Sequence, residues 1–155
     1  MSIKKSFTLS VTEGFSLIEV LVFVSILSLF LVIAVSVVTI SMSQNTLRIN
    51  TLKANHYNEQ LLEWIQIENE IDWETITEKG SSGDGVTYCF TNEVSTWPAS
   101  GSCSLYELAG VYKRYATLKT TGDPVSQVEV TVTTEWQEAG NTHSTQLHTV
   151  FSVWD

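Results

Sequence analysis

Basic side chains are scarce in this chain. Of its 155 residues, 8 are Lys or Arg and 17 are Asp or Glu, which gives a formal net charge of -9. A general nucleic-acid binder needs clustered Lys and Arg to neutralise phosphates, so this balance argues against that class of protein. We therefore expect no direct nucleic-acid partner.

Catalytic and metal-binding motifs are also missing. The histidines, His56, His143 and His148, form neither a His-Glu-x-x-His motif nor a Cys/His zinc spacing. There is no Gly-x-Ser-x-Gly turn and no phosphate-cradling glycine loop. Residues 83–85 (Gly-Asp-Gly) and Asp123 could contribute to a calcium loop, but the EF-hand pattern is absent. The sequence thus predicts no enzyme, no cofactor and no metal site.

Charge is absent altogether from one long run. Residues 20–38 are apolar except for Ser25, Ser28 and Ser36. As a helix rising about 1.5 Å per residue the run would measure about 28 Å, close to the ~30 Å hydrocarbon core of a bilayer. Val and Ile favour strands in water, but a lone strand in lipid would leave its backbone groups unpaired. The run therefore predicts one transmembrane helix.

The flanks of this run indicate its orientation and contain one unusual acid. Lys4 and Lys5 precede the run and favour a cytoplasmic N-terminus, with the following domain outside. Glu19 stands at the start of the run, where a carboxylate near lipid is costly. It either reaches the lipid headgroups or pairs with a cation, and the run holds no Lys or Arg. A free amine made by cleavage before Phe15 would supply that cation.

Residues 14–20 (Gly-Phe-Ser-Leu-Ile-Glu-Val) lie between the short basic leader and the uncharged run. This arrangement resembles the prepilin cleavage and methylation motif of type IV pilins, minor pilins and the pseudopilins of type II secretion and DNA-uptake systems. The resemblance implies that prepilin peptidase cuts between Gly14 and Phe15 and methylates the new amine of Phe15. It also implies that Glu19 pairs with the amine of a neighbouring subunit during filament assembly.

Two residues differ from the common form of the motif and of the helix behind it. Ser16 stands where Thr is more usual, and Ser36 stands where many major pilins carry a helix-breaking Pro. The leader motif is unaffected by either difference. The resemblance therefore does not imply that the helix melts locally at Ser36. The absence of Pro at this position favours a low-abundance subunit.

The resemblance implies three parts and a set of partners. These parts are a leader at residues 1–14, a transmembrane and assembly helix at 15–42, and an extracytoplasmic head at 43–155. The implied partners are prepilin peptidase, other pilin subunits, the inner-membrane assembly platform and membrane lipid. The subunit would be a single-pass membrane protein with a cytoplasmic N-terminus, and later part of a cell-surface or periplasmic filament.

An alternative function comes from a different class of protein. The chain would then be a membrane-tethered extracytoplasmic binding module held by an uncleaved signal anchor. That alternative predicts that Met1 or Ser2 remains the N-terminus and that Glu19→Ala has no effect. The pilin interpretation predicts cleavage after Gly14 and loss of assembly for Glu19→Ala.

The head is predicted to be α+β, with the long N-terminal helix packed on a small antiparallel β-sheet, as in the lollipop shape of pilins. Residues 43–72 lack Gly and Pro and predict a helix that continues out of the membrane. A short turn or helix after it should bring Trp73 onto the core. The sheet region is residues 80–155, where alternation and turn signals predict strands at 86–90, 105–108, 111–120, 125–136 and 142–154. One face of the helix should pack on the sheet through Leu47, Thr51, Ala54, Leu61, Leu62 and Ile65.

The chain has two cysteines, Cys89 and Cys103, around a segment rich in Gly, Ser and Thr. Outside the cytoplasm we expect them to form a disulfide, which closes a loop of about 15 residues and stabilises by roughly 3 kcal/mol. Two free thiols are the alternative. Trp97 and Pro98 in this loop either pack in the head or contact a partner or carbohydrate.

Overall fold

The computed structural model describes residues 16–91 and 94–152. The chain divides into two compact units, one ending at Ser43 and the other, the head, beginning at Gln44. The described ranges contain two helices and four strands: α1 Leu17–Ile71, α2 Trp73–Lys79, β1 Val86–Cys89, β2 Tyr112–Thr121, β3 Gln127–Glu138 and β4 Asn141–Ser152. A long helix and a small antiparallel sheet thus confirm the predicted α+β class.

Helix α1 continues without a break because its sequence contains neither Gly nor Pro. It ends at Ile71, where Asp72 adopts an extended conformation and caps α2. The Asp72 carboxylate accepts hydrogen bonds from the Glu74 amide (3.0 Å) and the Thr75 hydroxyl (2.7 Å). The bond from Thr75 is the main reason that the pKa of Asp72 is lowered. The predicted short helix is confirmed, and it brings Trp73 against the core.

The sheet has the order β1-β2-β3-β4 with every neighbouring pair antiparallel. Strands β3 and β4 are joined by a tight turn in which Ala139 (φ 50°) and Gly140 (φ 82°) have positive φ, as a two-residue hairpin requires. From this turn the pairing of β3 with β4 continues residue for residue to Gln127 and Ser152, without a bulge.

The head segment of α1 covers the inner face of the sheet. Val128, Val130 and Val132 of β3 are fully buried there, which confirms the alternation expected for this strand. In the main core cluster the helix contributes Leu61 and Ile65. The side chains packed around them in that cluster are Ile76, Tyr88, Phe90, Ala116 and Leu118.

Arg114 is a buried cation on the inner face of β2. The alternation of side chains along β2 places Arg114 on the same face as Tyr112 and Ala116. Arg114 is only 2% exposed. Its Nη1 donates to the Tyr57 carbonyl (3.0 Å) and to Oε1 of Gln60 (3.1 Å). Burial lowers the pKa of Arg114 to about 10, so the guanidinium is still charged at neutral pH. Arg114 therefore connects β2 to α1 by hydrogen bonds as well as by packing.

Asn58 is a buried polar residue of α1 that the sequence analysis did not single out. Its Oδ1 accepts a 2.6 Å bond from the Thr134 hydroxyl, and its Nδ2 donates to the carbonyl and hydroxyl of Thr145 (both 3.0 Å). Thr134 and Thr145 are directly opposite each other on β3 and β4. One amide thus connects the helix to both strands of the final hairpin.

The predicted strand at residues 105–108 is wrong. Leu108 forms only an isolated bridge with Tyr112, and their backbone groups exchange two hydrogen bonds (2.9 and 3.0 Å). Ala109 (φ 51°) and Gly110 (φ 68°) fold the chain back at this point. The residues just before Leu108 therefore pair with no strand among the described residues, and Leu105 is 61% exposed. The other strands are confirmed with ends shifted by one or two residues, and residues 153–155 lie outside the described ranges.

We expect Asn58→Ala to destabilise the head by about 1–3 kcal/mol, because it leaves the buried hydroxyl of Thr134 and the half-buried groups of Thr145 without this partner. Denaturant unfolding of the full chain in detergent micelles would measure the change. Asn45→Ala, at an exposed position of the same helix, is the matched control. An equally small shift for both variants would show that the amide contributes little.

Candidate functional site

The candidate site is the start of α1. Gly14 and Phe15, the residues of the expected cleavage site, lie outside the described residues. The Ser16 carbonyl accepts backbone hydrogen bonds from Glu19 (2.9 Å) and Val20 (3.2 Å), so Ser16 is the residue from which the helix begins. Glu19 therefore lies in the first turn of α1, where the helix dipole favours an acid.

The role of Ser16 was missed, although the sequence contains a signal for it. Ser followed three residues later by Glu is the capping-box spacing, and it marks the beginning of a helix. Because the structure begins α1 after Ser16, Glu19 occupies the third helical position of that pattern. Neither side-chain bond of a capping box is found among the described residues, so the local reason for an acid at position 19 is its place in the first turn of the helix.

The Glu19 carboxylate has no cationic partner within residues 16–91 and 94–152. Within those ranges the Lys113–Glu135 ion pair and the hydrogen bond between His148 and Glu129 are both in the head. Glu19 itself is exposed. A cation that neutralises it must therefore come from outside the described residues or from another molecule.

The surface around Glu19 is apolar and exposed. Every large apolar side chain from Leu17 to Met42 is between 44% and 81% exposed. The most apolar window of α1 has a mean hydropathy of 3.0, and none of it is buried inside the protein. A continuous apolar surface of this size requires lipid or other proteins to cover it. By length and composition the segment can cross a membrane, which is consistent with a single-pass membrane protein.

Polar side chains inside this apolar segment bond to its own backbone. The hydroxyls of Ser25, Ser28 and Ser36 donate to the carbonyls four residues earlier at 2.8, 2.7 and 2.9 Å, and Thr39 does the same at 3.0 Å. Such bonds let hydroxyls enter an apolar environment without external partners. Ser36 does not interrupt the helix. Glu19 is the one ionisable residue of the segment, and its carboxylate has no comparable bond in the described structure.

The Cys89–Cys103 disulfide is present in the structure, and its loop packs against α1. The Trp97 ring contacts Trp64, with ring centroids 5.1 Å apart, and Tyr88 at 5.2 Å. Its Nε1 donates to Oε2 of Glu68 on α1 (3.3 Å). Of the two roles considered for Trp97, the structure shows packing.

A charged cluster lies on the outer face of the sheet. The Tyr115 hydroxyl donates to Oε1 of Glu135 (2.7 Å), and Lys113 forms an ion pair with the same carboxylate. Burial, together with this hydrogen bond, raises the pKa of Tyr115 to about 12. Burial acts to raise the pKa of Glu135 too, but the bonds from Lys113 and Tyr115 outweigh it and lower the pKa. These charges neutralise one another and offer no free anion or cation.

Two small clefts lie among the described residues of the head. A cleft of about 110 Å³ beside the disulfide and another of about 250 Å³ beside Tyr57 are both smaller than typical ligand pockets of ~300–1,000 Å³. Among the described residues no group of three His, Cys, Asp or Glu could hold a metal ion. His143 stacks on Trp136, and His148 bonds to Glu129 on the opposite face of β4.

Comparisons with protein-family models, with curated proteins and with solved structures find no match. The functional argument therefore depends on the residues of this chain.

We expect replacement of both cysteines, Cys89→Ser with Cys103→Ser, to lower the free energy of unfolding by about 3 kcal/mol, the value for a disulfide that closes a loop of about 15 residues. Chemical reduction of the unmodified chain should give a similar loss. The midpoint of denaturant unfolding measures both, and an unchanged midpoint after confirmed reduction would contradict the expectation.

Proposed function

We propose that the chain is a minor pilin or pseudopilin, a structural subunit of a type IV pilus-like filament. Prepilin peptidase processes it after Gly14, and it assembles through α1. The observation that carries this proposal is the combination of the residue 14–20 motif with a long exposed apolar helix in which Glu19 is the one ionisable group.

Processing supplies the cation that Glu19 lacks. Hydrolysis of the Gly14–Phe15 peptide bond frees one amine per subunit, and each subunit has one Glu19 near the membrane. Pairing of Glu19 with the Phe15 amine of a neighbour then neutralises both charges in an apolar environment, where an unpaired charge is costly. Before cleavage this amine does not exist, so assembly depends on processing.

The remaining surface of the segment is suited to close helix packing. Its large apolar side chains are exposed, and the hydroxyls of Ser25, Ser28, Ser36 and Thr39 already bond within the helix. The segment can therefore move from lipid into a bundle of like helices without exposing an unsatisfied hydroxyl at these four positions. A disulfide-bonded α+β head agrees with an extracytoplasmic position.

The Glu19→Gln variant removes the charge of this side chain but keeps its size and its position in the first turn. Glutamine also fits the capping-box pattern, so the start of α1 should persist. Breaking a desolvated ion pair costs about 3–5 kcal/mol. We therefore expect the variant to be processed and membrane-inserted, but to enter the sheared filament fraction at least about a hundredfold less.

Glu59→Gln is the matched control, since it makes the same chemical change at an exposed acid in the head segment of α1. Quantitative immunoblotting of membrane and filament fractions gives the measurement. Equal incorporation of both variants would overturn the role of Glu19. Absence of the unmodified chain from the filament fraction, with Met1 or Ser2 retained, would instead favour a membrane-tethered binding module with an uncleaved signal anchor.

A further inference from the structure

The disulfide loop, residues 91–102, closes the β1 edge of the sheet. The Gly101 amide donates to the Thr87 carbonyl (3.0 Å), and Ser100 forms an antiparallel bridge with Tyr88 beside this bond. The loop therefore takes the place that a further strand would occupy next to β1. Because an open sheet edge is a site at which other chains can pair, the attachment of this loop decides whether the β1 edge is available.

Apart from the disulfide, Trp97 attaches the middle of the loop to the head. Its ring contacts Trp64 of α1 and Phe90, with ring centroids 5.1 and 6.0 Å apart, and its Nε1 donates to Oε2 of Glu68 (3.3 Å). Trp97 is half-buried and packs on the outside of the main core cluster. These contacts lie at the rim of the core, where the loop can leave them without crossing the interior.

The core of the head does not include the loop. Of the loop residues that the structure describes, 91 and 94–102, none is buried and none belongs to a helix or strand. The buried members of the main core cluster come from the two helices, from β1, β2 and β3, and from Phe90. Strand β1 pairs with β2 through its own four residues. Detachment of the loop would thus remove no buried side chain from this core.

The disulfide itself can be reached from solvent. Cys89 and Cys103 are both half-buried, and both line the cleft of about 110 Å³. The small polar side chains of Thr91, Ser102 and Ser104 line the same cleft. Thiol–disulfide exchange requires a thiolate to reach one of the two sulfur atoms, and this cleft offers a path to them.

We propose that Cys89 and Cys103 form a redox-operated clasp, which fixes the loop over the β1 edge when oxidised and releases it when reduced by a dithiol protein. A thiolate of that protein attacks one sulfur, forms a mixed disulfide and displaces the other cysteine as a thiolate. Its second thiol then displaces the remaining cysteine. The clasp gains two electrons and two protons, and the dithiol protein leaves as a disulfide. The reverse exchange closes the clasp.

Release follows from the loss of the covalent restraint. A cross-link that closes a loop of about 15 residues restricts the chain by a factor of about a hundred. After reduction the loop is held only by the Gly101 bond, the Ser100 bridge and the contacts of Trp97, as far as the described residues show. The clasp does not depend on the proposed function. Only the place where it closes, outside the cytoplasm, rests on that proposal.

Site-resolved amide hydrogen exchange of the full-length chain in detergent micelles tests the clasp, before and after reduction with dithiothreitol. The Gly101 amide reports on the loop, and the Phe90 amide, which donates to the Arg114 carbonyl (2.9 Å), reports on the sheet. Reduction should accelerate exchange at Gly101 at least about tenfold and leave Phe90 slow. Intact mass after alkylation verifies that both thiols are free.

Three results of this experiment would overturn the proposal. If Gly101 exchanges equally slowly after verified reduction, the contacts of Trp97 and the backbone hold the loop without the disulfide. If Gly101 and Phe90 accelerate together, the head unfolds as one unit and contains no separate clasp. If Gly101 exchanges rapidly in the oxidised chain, the β1 edge is not closed.

Two variants separate the disulfide from the tryptophan. Cys89→Ser with Cys103→Ser should show rapid exchange at Gly101 without reductant and no response to it. Trp97→Ala retains the disulfide and should keep Gly101 slow until reductant is added. Acceleration by Trp97→Ala equal to that by reduction would contradict the clasp, because the tryptophan would then hold the loop. If the double variant fails to fold, reduction of the unmodified chain decides the outcome.

Thioredoxin whose second active-site cysteine is replaced by Ala tests access by a dithiol protein. It should form a trapped mixed disulfide with Cys89 or Cys103 of the folded chain, and absence of this adduct would overturn reduction by such a protein. The N-terminal mass of the same samples separates the two proposals. A chain cut after Gly14 with an unresponsive Gly101 would reject the clasp alone, and an unprocessed chain would reject the proposed function alone.

Discussion

The carboxylate of Glu19, which has no cationic partner in the part of the chain that the structure describes, is the constraint on which the proposed mode of action depends. Around it, the segment from Leu17 to Met42 presents large exposed apolar side chains, and four of its hydroxyls bond to their own backbone. The segment can therefore enter lipid or a helix bundle at little polar cost, except at Glu19. A cleavage that creates a new amine at Phe15 would remove that cost only when subunits come together. This dependence would couple processing to assembly without any change in the head.

The head depends on polar contacts as well as on its core. Asn58 connects α1 to both strands of the final hairpin, and Arg114 connects β2 to the carbonyl of Tyr57 on the same helix. Hydrogen bonds of this kind need particular partners, so they select one position of α1 along the sheet, which apolar packing alone would define less strictly. The disulfide loop adds Trp97 against α1 and covers the β1 edge. Within residues 16–91 and 94–152, the sheet is thereby left with β4 as its open side.

Most of the fold could be predicted from local patterns. The helix of α1 follows from the absence of Gly and Pro, and β3 follows from the alternation of Val128, Val130 and Val132. The strand expected at residues 105–108 failed because the turn at Ala109 and Gly110 left it without a partner, which is a property of tertiary pairing. Asn58 was not predicted because an amide on a helix face looks solvent-exposed until its partners are known.

Most residues of the candidate site could be predicted from the sequence. The residue 14–20 motif and the position of Glu19 are visible in the sequence, and the structure adds that α1 begins after Ser16 and that its apolar surface is uncovered. The two edges of the sheet could not be read from the sequence. Strand order and the hydrogen bond from Gly101 to Thr87 depend on contacts distant along the chain.

The N-terminal mass of the chain extracted from membranes with active prepilin peptidase tests the central claim most directly. The account predicts that the chain begins at Phe15 and that its amine carries a methyl group. An unprocessed chain that still begins at Met1 or Ser2 would contradict the account, because Glu19 would then have no new amine with which to pair.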